Sequence, residues 1–177
     1  MSNSRSEPML KGAPMTTERH PSKQEGDELL RLDRQLCFPL YAATNLIQRL
    51  YRPLLAPLGL TYSQYLVMLV LWEREPVTVG DLQACLHLDV GTLSPMLKRM
   101  ERAGLVARMR DPQDERRVLV TQTSEGRALK SAAQEIPGTL AKKVGIEEDR
   151  IVALHELTHA LVGQLGEAAE RDSHPAA

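Results

Sequence analysis

The chain has 177 residues, 42% hydrophobic and 25% charged, with 22 basic and 23 acidic side chains for a formal charge of −1. That is the size and composition of one globular domain with room for a tail, and no bulk field announces a partner. Two cysteines exclude a disulfide-rich scaffold and a four-cysteine zinc site. No apolar run follows the N-terminal Met1-Ser2-Asn3-Ser4-Arg5, and none reaches 18 residues, so neither a signal peptide nor a membrane span is expected. With one Trp, four Tyr and one Phe, the core must be built from Leu, Val, Met and Ala. The composition reads as a cytoplasmic, mainly helical protein.

Residues 1–28 are rich in Ser, Pro, Glu, Lys and Thr and are read as a disordered tail, with 169–177 as a frayed end. From Leu29 to Leu58 a three-and-four spacing (Leu36, Leu40, Ala43, Ile47, Leu50, Leu54) predicts a helix. It begins near Leu36 or Cys37, because Pro39 is cheapest in a first turn, and Pro57 and Gly59 close it. A second helix is predicted over Tyr62–Glu75, capped by Thr61 or Ser63 and stopped by Pro76. Thr78 and Asp81 form a capping box for a short helix facing inward through Val79, Leu82 and Leu86. Asp89 then caps another helix, with Leu93, Met96, Leu97 and Met100 inward and Gly104 as its left-handed stop. The pair is a helix-turn-helix. Two β-prone runs around Asp111-Pro112, read as a type I turn, add a hairpin.

The fold class is therefore mainly α with a small β-hairpin wing: a winged helix-turn-helix over 77–121. Helices at 29–58 and 123–168 are read as dimerisation elements. The latter stretch starts at a Thr123 or Ser124 cap, kinks at Pro137-Gly138 and resumes near Glu147. The apolar stripe Ile151, Leu154, Thr158, Leu161, Leu165 exceeds what a winged helix needs, and helix packing between two subunits is its physical outlet.

Within 98–117 seven basic residues (Lys98, Arg99, Arg102, Arg108, Arg110, Arg116, Arg117) stand against four acids, +3 locally, while the other 157 residues carry −4. Positive charge thus gathers on the second helix and the wing, which is the electrostatic footprint of a DNA-binding head. The helix opens with Gly91-Thr92-Leu93-Ser94-Pro95, small groups suited to phosphates and base edges, and the Arg-rich wing tip suits the minor groove.

Cys85, between Ala84 and Leu86, reads as a buried, inert thiol. Cys37 stands at a predicted helix start, where free N–H groups favour a thiolate, with Tyr41 one turn on. Chemistry alone leaves both a packed thiol and a reactive one open. His155-Glu156-Leu157-Thr158-His159 matches the zinc-peptidase helix H-E-x-x-H, with Glu156 as the base. Val162 and Leu165 stand where a metzincin carries Gly and His, so coincidence is favoured, and neither a metal nor a cofactor is expected. The protein is read as no enzyme.

The segment Leu32-Asp33-Arg34-Gln35-Leu36-Cys37-Phe38-Pro39-Leu40-Tyr41 closely resembles the sensing-cysteine region of OhrR-type repressors, the organic-hydroperoxide sensors of the MarR family. Leu88 to Glu101 resembles their recognition helix, and Asp111-Pro112-Gln113-Asp114-Glu115-Arg116 their wing. The resemblance implies a homodimeric repressor on a near-palindromic double-stranded operator, with an organic hydroperoxide as inducer. It maps the reactive cysteine onto Cys37 and its hydrogen-bonding tyrosines onto Tyr41, Tyr51 and Tyr62. DNA contacts fall on Thr92, Ser94, Pro95, Lys98 and Arg99 at the major groove. Arg110 and Arg116 serve the wing, with Asp114 orienting Arg116. No cysteine follows Cys85, so the chain resembles the one-cysteine type, completed by a small-molecule thiol or by overoxidation. Pro39, Val90 and the long tail depart from the family pattern. A MarR-type regulator of a phenolic ligand would share the DNA surface without needing Cys37.

Overall fold

The computed structural model describes residues 27–173. Most of the expected N-terminal tail, and His174 onward, lie outside them. The chain divides into two compact units, Met1–Thr44 and Asn45–Ala177.

In the first unit a 3-10 turn at Leu32–Arg34 precedes helix α1, Cys37–Leu55, which runs on into the second. Arg31 clasps Asp33 through two hydrogen bonds of 3.0 and 3.1 Å, and the Phe38 amide donates to the Gln35 carbonyl at 3.2 Å. Pro39 is the third helical residue, where an N–H has no intrahelical partner. Leu36, Phe38 and Tyr41 are exposed.

In the second unit α1 tolerates Pro53 near its end and gives way to a 3-10 turn, Ala56–Leu58, closed by Gly59 at φ +65°. Helix α2, Tyr62–Glu73, carries a full Thr61/Gln64 capping box. It stops two residues before the predicted Glu75: Arg74 is already extended, and a residue preceding proline is biased out of the helical region. Strand β1, Val77–Thr78, leads into α3, Val79–Leu86, through the Thr78/Asp81 box with bonds of 3.0 and 3.1 Å. His87 turns the chain left-handed at φ 50° before α4, Val90–Arg102. Gly104 (φ +73°) ends α4; the Gly104 and Leu105 amides donate to the Glu101 and Met100 carbonyls.

Strands β2, Val106–Arg110, and β3, Val118–Gln122, form the expected hairpin, pairing Val106 with Gln122 and Arg110 with Val118. β1 adds a third strand, Val77 opposite Val120, for the order β1-β3-β2. That strand is absent from the sequence reading, being two residues long. At the wing tip Asp111 accepts the Gln113 amide on its side chain at 2.9 Å, and a hydrogen-bonded turn follows at 114–117, Arg117 N–H to Asp114 C=O at 2.9 Å.

Helix α5, Ser124–Ala133, is capped by Thr123. The break falls at Gln134, not at Pro137-Gly138, because Pro137 sits in the first turn of α6, Glu135–Val144, where it costs nothing. Gly145 ends α6 in the left-handed region. Helix α7, Glu148–Ser173, continues five residues past the expected fraying point at 168.

One core joins the second unit's elements: Leu55 and Leu60; Tyr65, Val67, Met68 and Leu71 of α2; Leu82; Leu93, Met96, Leu97 and Met100 of α4; Val106, Val120, Ala133 and Ile136. The Trp72 indole N–H donates to the Gly126 carbonyl at 3.0 Å, tying α2 to α5. No single described helix is long and apolar enough to cross a membrane.

Candidate nucleic-acid interface and cysteine site

Burial of Leu93, Met96, Leu97 and Met100 fixes the roll of α4 on the core. A helix so fixed must present the opposite stripe outward: Gly91, Thr92, Pro95, Lys98, Arg99 and Arg102 are all exposed, and Ser94 is half-buried at the margin. Asp89 sets the entry. One carboxylate oxygen accepts the Thr92 amide at 2.7 Å and the other the Thr92 hydroxyl at 2.8 Å, which holds Asp89 below the usual carboxylate range. The Thr92 hydroxyl proton is therefore committed, and its oxygen faces out as an acceptor. Pro95 has no N–H for the Gly91 carbonyl one turn back, so that acceptor also loses its helical donor at the exposed face.

In the wing, Asp114 accepts the Arg116 amide at 3.1 Å and its Nε at 3.0 Å. This lowers the Asp114 pKa and fixes the base of a guanidinium whose side chain is 91% exposed. Arg110 Nη1 donates to the Glu115 carbonyl at 2.5 Å, bracing the loop from the other strand. Two further basic residues of the positive patch face carboxylates: Arg108 pairs with Glu101 at 2.5 Å and Arg117 approaches Asp111 at 3.8 Å. The sequence pattern held no signal for either pairing, since each depends on the wing folding back on α4 or closing its own loop.

Cys37 and Tyr41 lie one turn apart at the start of α1, both exposed. In the second unit Tyr51 and Tyr62 come together, ring centroids 5.0 Å apart, and Tyr65, unforeseen, completes the cluster at 5.7 Å from Tyr51. Burial pushes all three phenols above their ordinary pKa, so they remain O–H donors. Cys85 corrects the sequence reading: it is exposed. On α3 the inward line runs through Val79, Leu82 and Leu86, and Cys85, about 60° from Leu82, falls on the side away from the other two. His155 and His159, 5.2 Å apart between ring centroids, and Glu156 sit on exposed positions of α7. No group of three or more His, Cys, Asp or Glu among the described residues is arranged to hold a metal.

A helix-turn-helix, its exposed basic face and a three-stranded wing define a winged-helix DNA-binding regulator. Residues 60–118 match the MarR family model. The chain is 46% identical over 132 residues to the organic hydroperoxide resistance transcriptional regulator of Bacillus subtilis, covering 75% of this chain and 88% of that one. It is 44% identical over 151 residues to the regulator TtmR of Methylorubrum extorquens, covering 85% and 77%. The structure of reduced AbfR bound to DNA superposes with a TM-score of 0.65 at 35% identity, covering 79% and 98%. The chain belongs to the MarR family and is similar to its OhrR type. These relatives are transcription regulators, not enzymes.

Proposed function

We propose that this protein is a dimeric repressor that senses organic hydroperoxides at Cys37 and then leaves its operator. The observation that carries this reading is Cys37 opening α1, with Tyr41 one turn on, in a chain 46% identical to an organic hydroperoxide resistance regulator. The reacting form of a cysteine is its thiolate. The thiolate sulfur attacks one peroxide oxygen; the O–O bond breaks, sulfur is oxidised to the sulfenic acid, and the other oxygen leaves with a proton as the alcohol. A small-molecule thiol then condenses with the sulfenic acid, releasing water and leaving a mixed disulfide. Tyr41, Tyr51 and Tyr62 serve as phenol donors to the sulfur.

Two copies associate through 29–58 and 123–168, whose apolar side chains Leu36, Phe38, Leu154, Leu157 and Leu165 are exposed in one chain. Each head places Thr92, Ser94, Pro95, Lys98 and Arg99 at the major groove of a near-palindromic operator. Arg110 and Arg116, the latter oriented by Asp114, enter the minor groove. Heads must sit about 34–36 Å apart to meet successive major grooves, so a small rotation from oxidised Cys37 loses affinity. The site of action is the cytoplasm.

The test is fluorescence anisotropy on the duplex of the gene's own upstream region at one stated salt concentration. Reduced protein binds tightly; one equivalent of cumene hydroperoxide plus a small thiol releases it, and Cys37→Ser stays bound. Release of Cys37→Ser by peroxide, or a wild type indifferent to it, overturns the redox reading.

A further inference from the structure

Three arginines line the cleft of about 530 Å³ between α3, one side of α4 and the sheet: Arg108, Arg116 and Arg117. Each faces a carboxylate, but not alike. Arg116 is held by its own loop neighbour Asp114 and stays 91% exposed, and Arg117 stands 3.8 Å from Asp111. Arg108 is only 24% exposed and points two of its nitrogens, Nε at 3.0 Å and Nη2 at 2.5 Å, at one oxygen of Glu101.

Glu101 belongs to the recognition helix itself, in a run of cations: Lys98, Arg99 and Arg102. Among the described residues none of these three pairs with a carboxylate, although Lys98 stands at the i−3 position where a helical ion pair forms readily. Glu101 reaches instead across to β2. The one acid on the helix's cationic side is thus spent on a strand arginine beneath the wing, and the helix cations are left without a carboxylate partner among the described residues.

We propose that Glu101 is a specificity-determining residue that withholds Arg108 from the DNA phosphates. Sequence-independent binding scales with the number of phosphates neutralised, each adding about 0.9 to the slope of log K against log salt. A guanidinium already neutralised by a carboxylate displaces no counterion, so it adds nothing to that slope. Base-edge contacts from α4 do not depend on it. Keeping one cation out of the count weakens binding to every duplex, and hence to competitors, while the pair fastens wing to recognition helix in the geometry that operator binding needs. This inference stands on the DNA-binding surface alone and is independent of Cys37.

The experiment is the salt dependence of binding, by anisotropy, on the upstream duplex and on an unrelated duplex of equal length, with reduced protein. Glu101→Gln, which keeps the side chain's shape, steepens the slope by about 0.9 on both and narrows the ratio between them. With Arg108→Gln added to Glu101→Gln, the slope on the unrelated duplex returns to its wild-type value, because the cation released by the first change is removed by the second. Two results overturn the proposal: a double variant flatter than wild type, which makes Arg108 a phosphate contact already, or steepening that persists in the double variant, which makes the effect Glu101's own charge.

Discussion

Asp89 terminates the turn after α3 and spends both carboxylate oxygens on Thr92. Because those bonds favour the ionised form, its pKa in the folded chain lies below its unfolded value of about 3.9. A depressed carboxylate contributes stability that is present above the unfolded pKa and lost as the pH falls through the folded one. Asp81, bonded to Thr78 at the start of α3, is shifted the same way, so the helix-turn-helix as a unit weakens in acid. Asp89→Asn should therefore lower the thermal midpoint by a few degrees near neutral pH, and the gap to wild type should narrow progressively as the pH falls below the unfolded carboxylate value of about 3.9. Melts across pH by circular dichroism check this. A gap that stays constant with pH would show the cap's charge to be irrelevant. The same residue bears on the proposed groove contact: with its proton donated to Asp89, the Thr92 oxygen would meet DNA as an acceptor, suited to an exocyclic amine at a base edge.

At the level of elements, the exit of α4 is locked to the start of α5. The Leu105 carbonyl accepts the Thr123 amide at 3.1 Å, and the Thr123 hydroxyl donates to the Gly104 carbonyl at 2.6 Å. A side chain at Gly126 would put its Cβ 2.1 Å from the Leu105 carbonyl oxygen, a backbone atom that cannot step aside alone. Gly126→Ala should cost about 1–3 kcal/mol or more, read as a lower denaturant midpoint. Trp72→Phe, which removes the indole bond to Gly126, should cost about 1 kcal/mol. An unchanged midpoint in Gly126→Ala would mean that α5 is free to slide.

What was legible from the sequence divides along the same line. Thr61, Thr78 with Asp81, Asp89 and Gly104 act on chain neighbours within five residues, and each was readable as a cap or stop. The third strand, the Glu101–Arg108 pair and Tyr65 in the phenol cluster are settled by segments that meet only after folding. The break falls at Gln134 and not at the expected Pro137-Gly138 for a subtler reason: Pro137 breaks a helix from inside but starts one from its first turn, and the string alone does not say which.

For the whole molecule, the decisive question is what covers α7. Ile151, Leu154, Leu157, Val162 and Leu165 are each 39–71% exposed on one helix, a surface that monomers seldom keep open. A second copy is the partner that the reading of two heads on one operator requires. The substitutions Leu154→Glu and Leu165→Glu, introduced together, separate assembly from folding. At 54% and 57% exposure neither side chain belongs to the core, so the melting of the winged-helix unit should hardly change. If α7 is the seam, the variant sediments as a monomer. It then binds the upstream duplex at least about 100-fold more weakly, because two heads joined in one particle gain roughly two to four orders of magnitude over one. Sedimentation velocity and anisotropy on the same samples test both halves. A variant that remains dimeric and binds unchanged would move the interface off α7, and with it the route by which a thiol on α1 could alter the spacing of the heads.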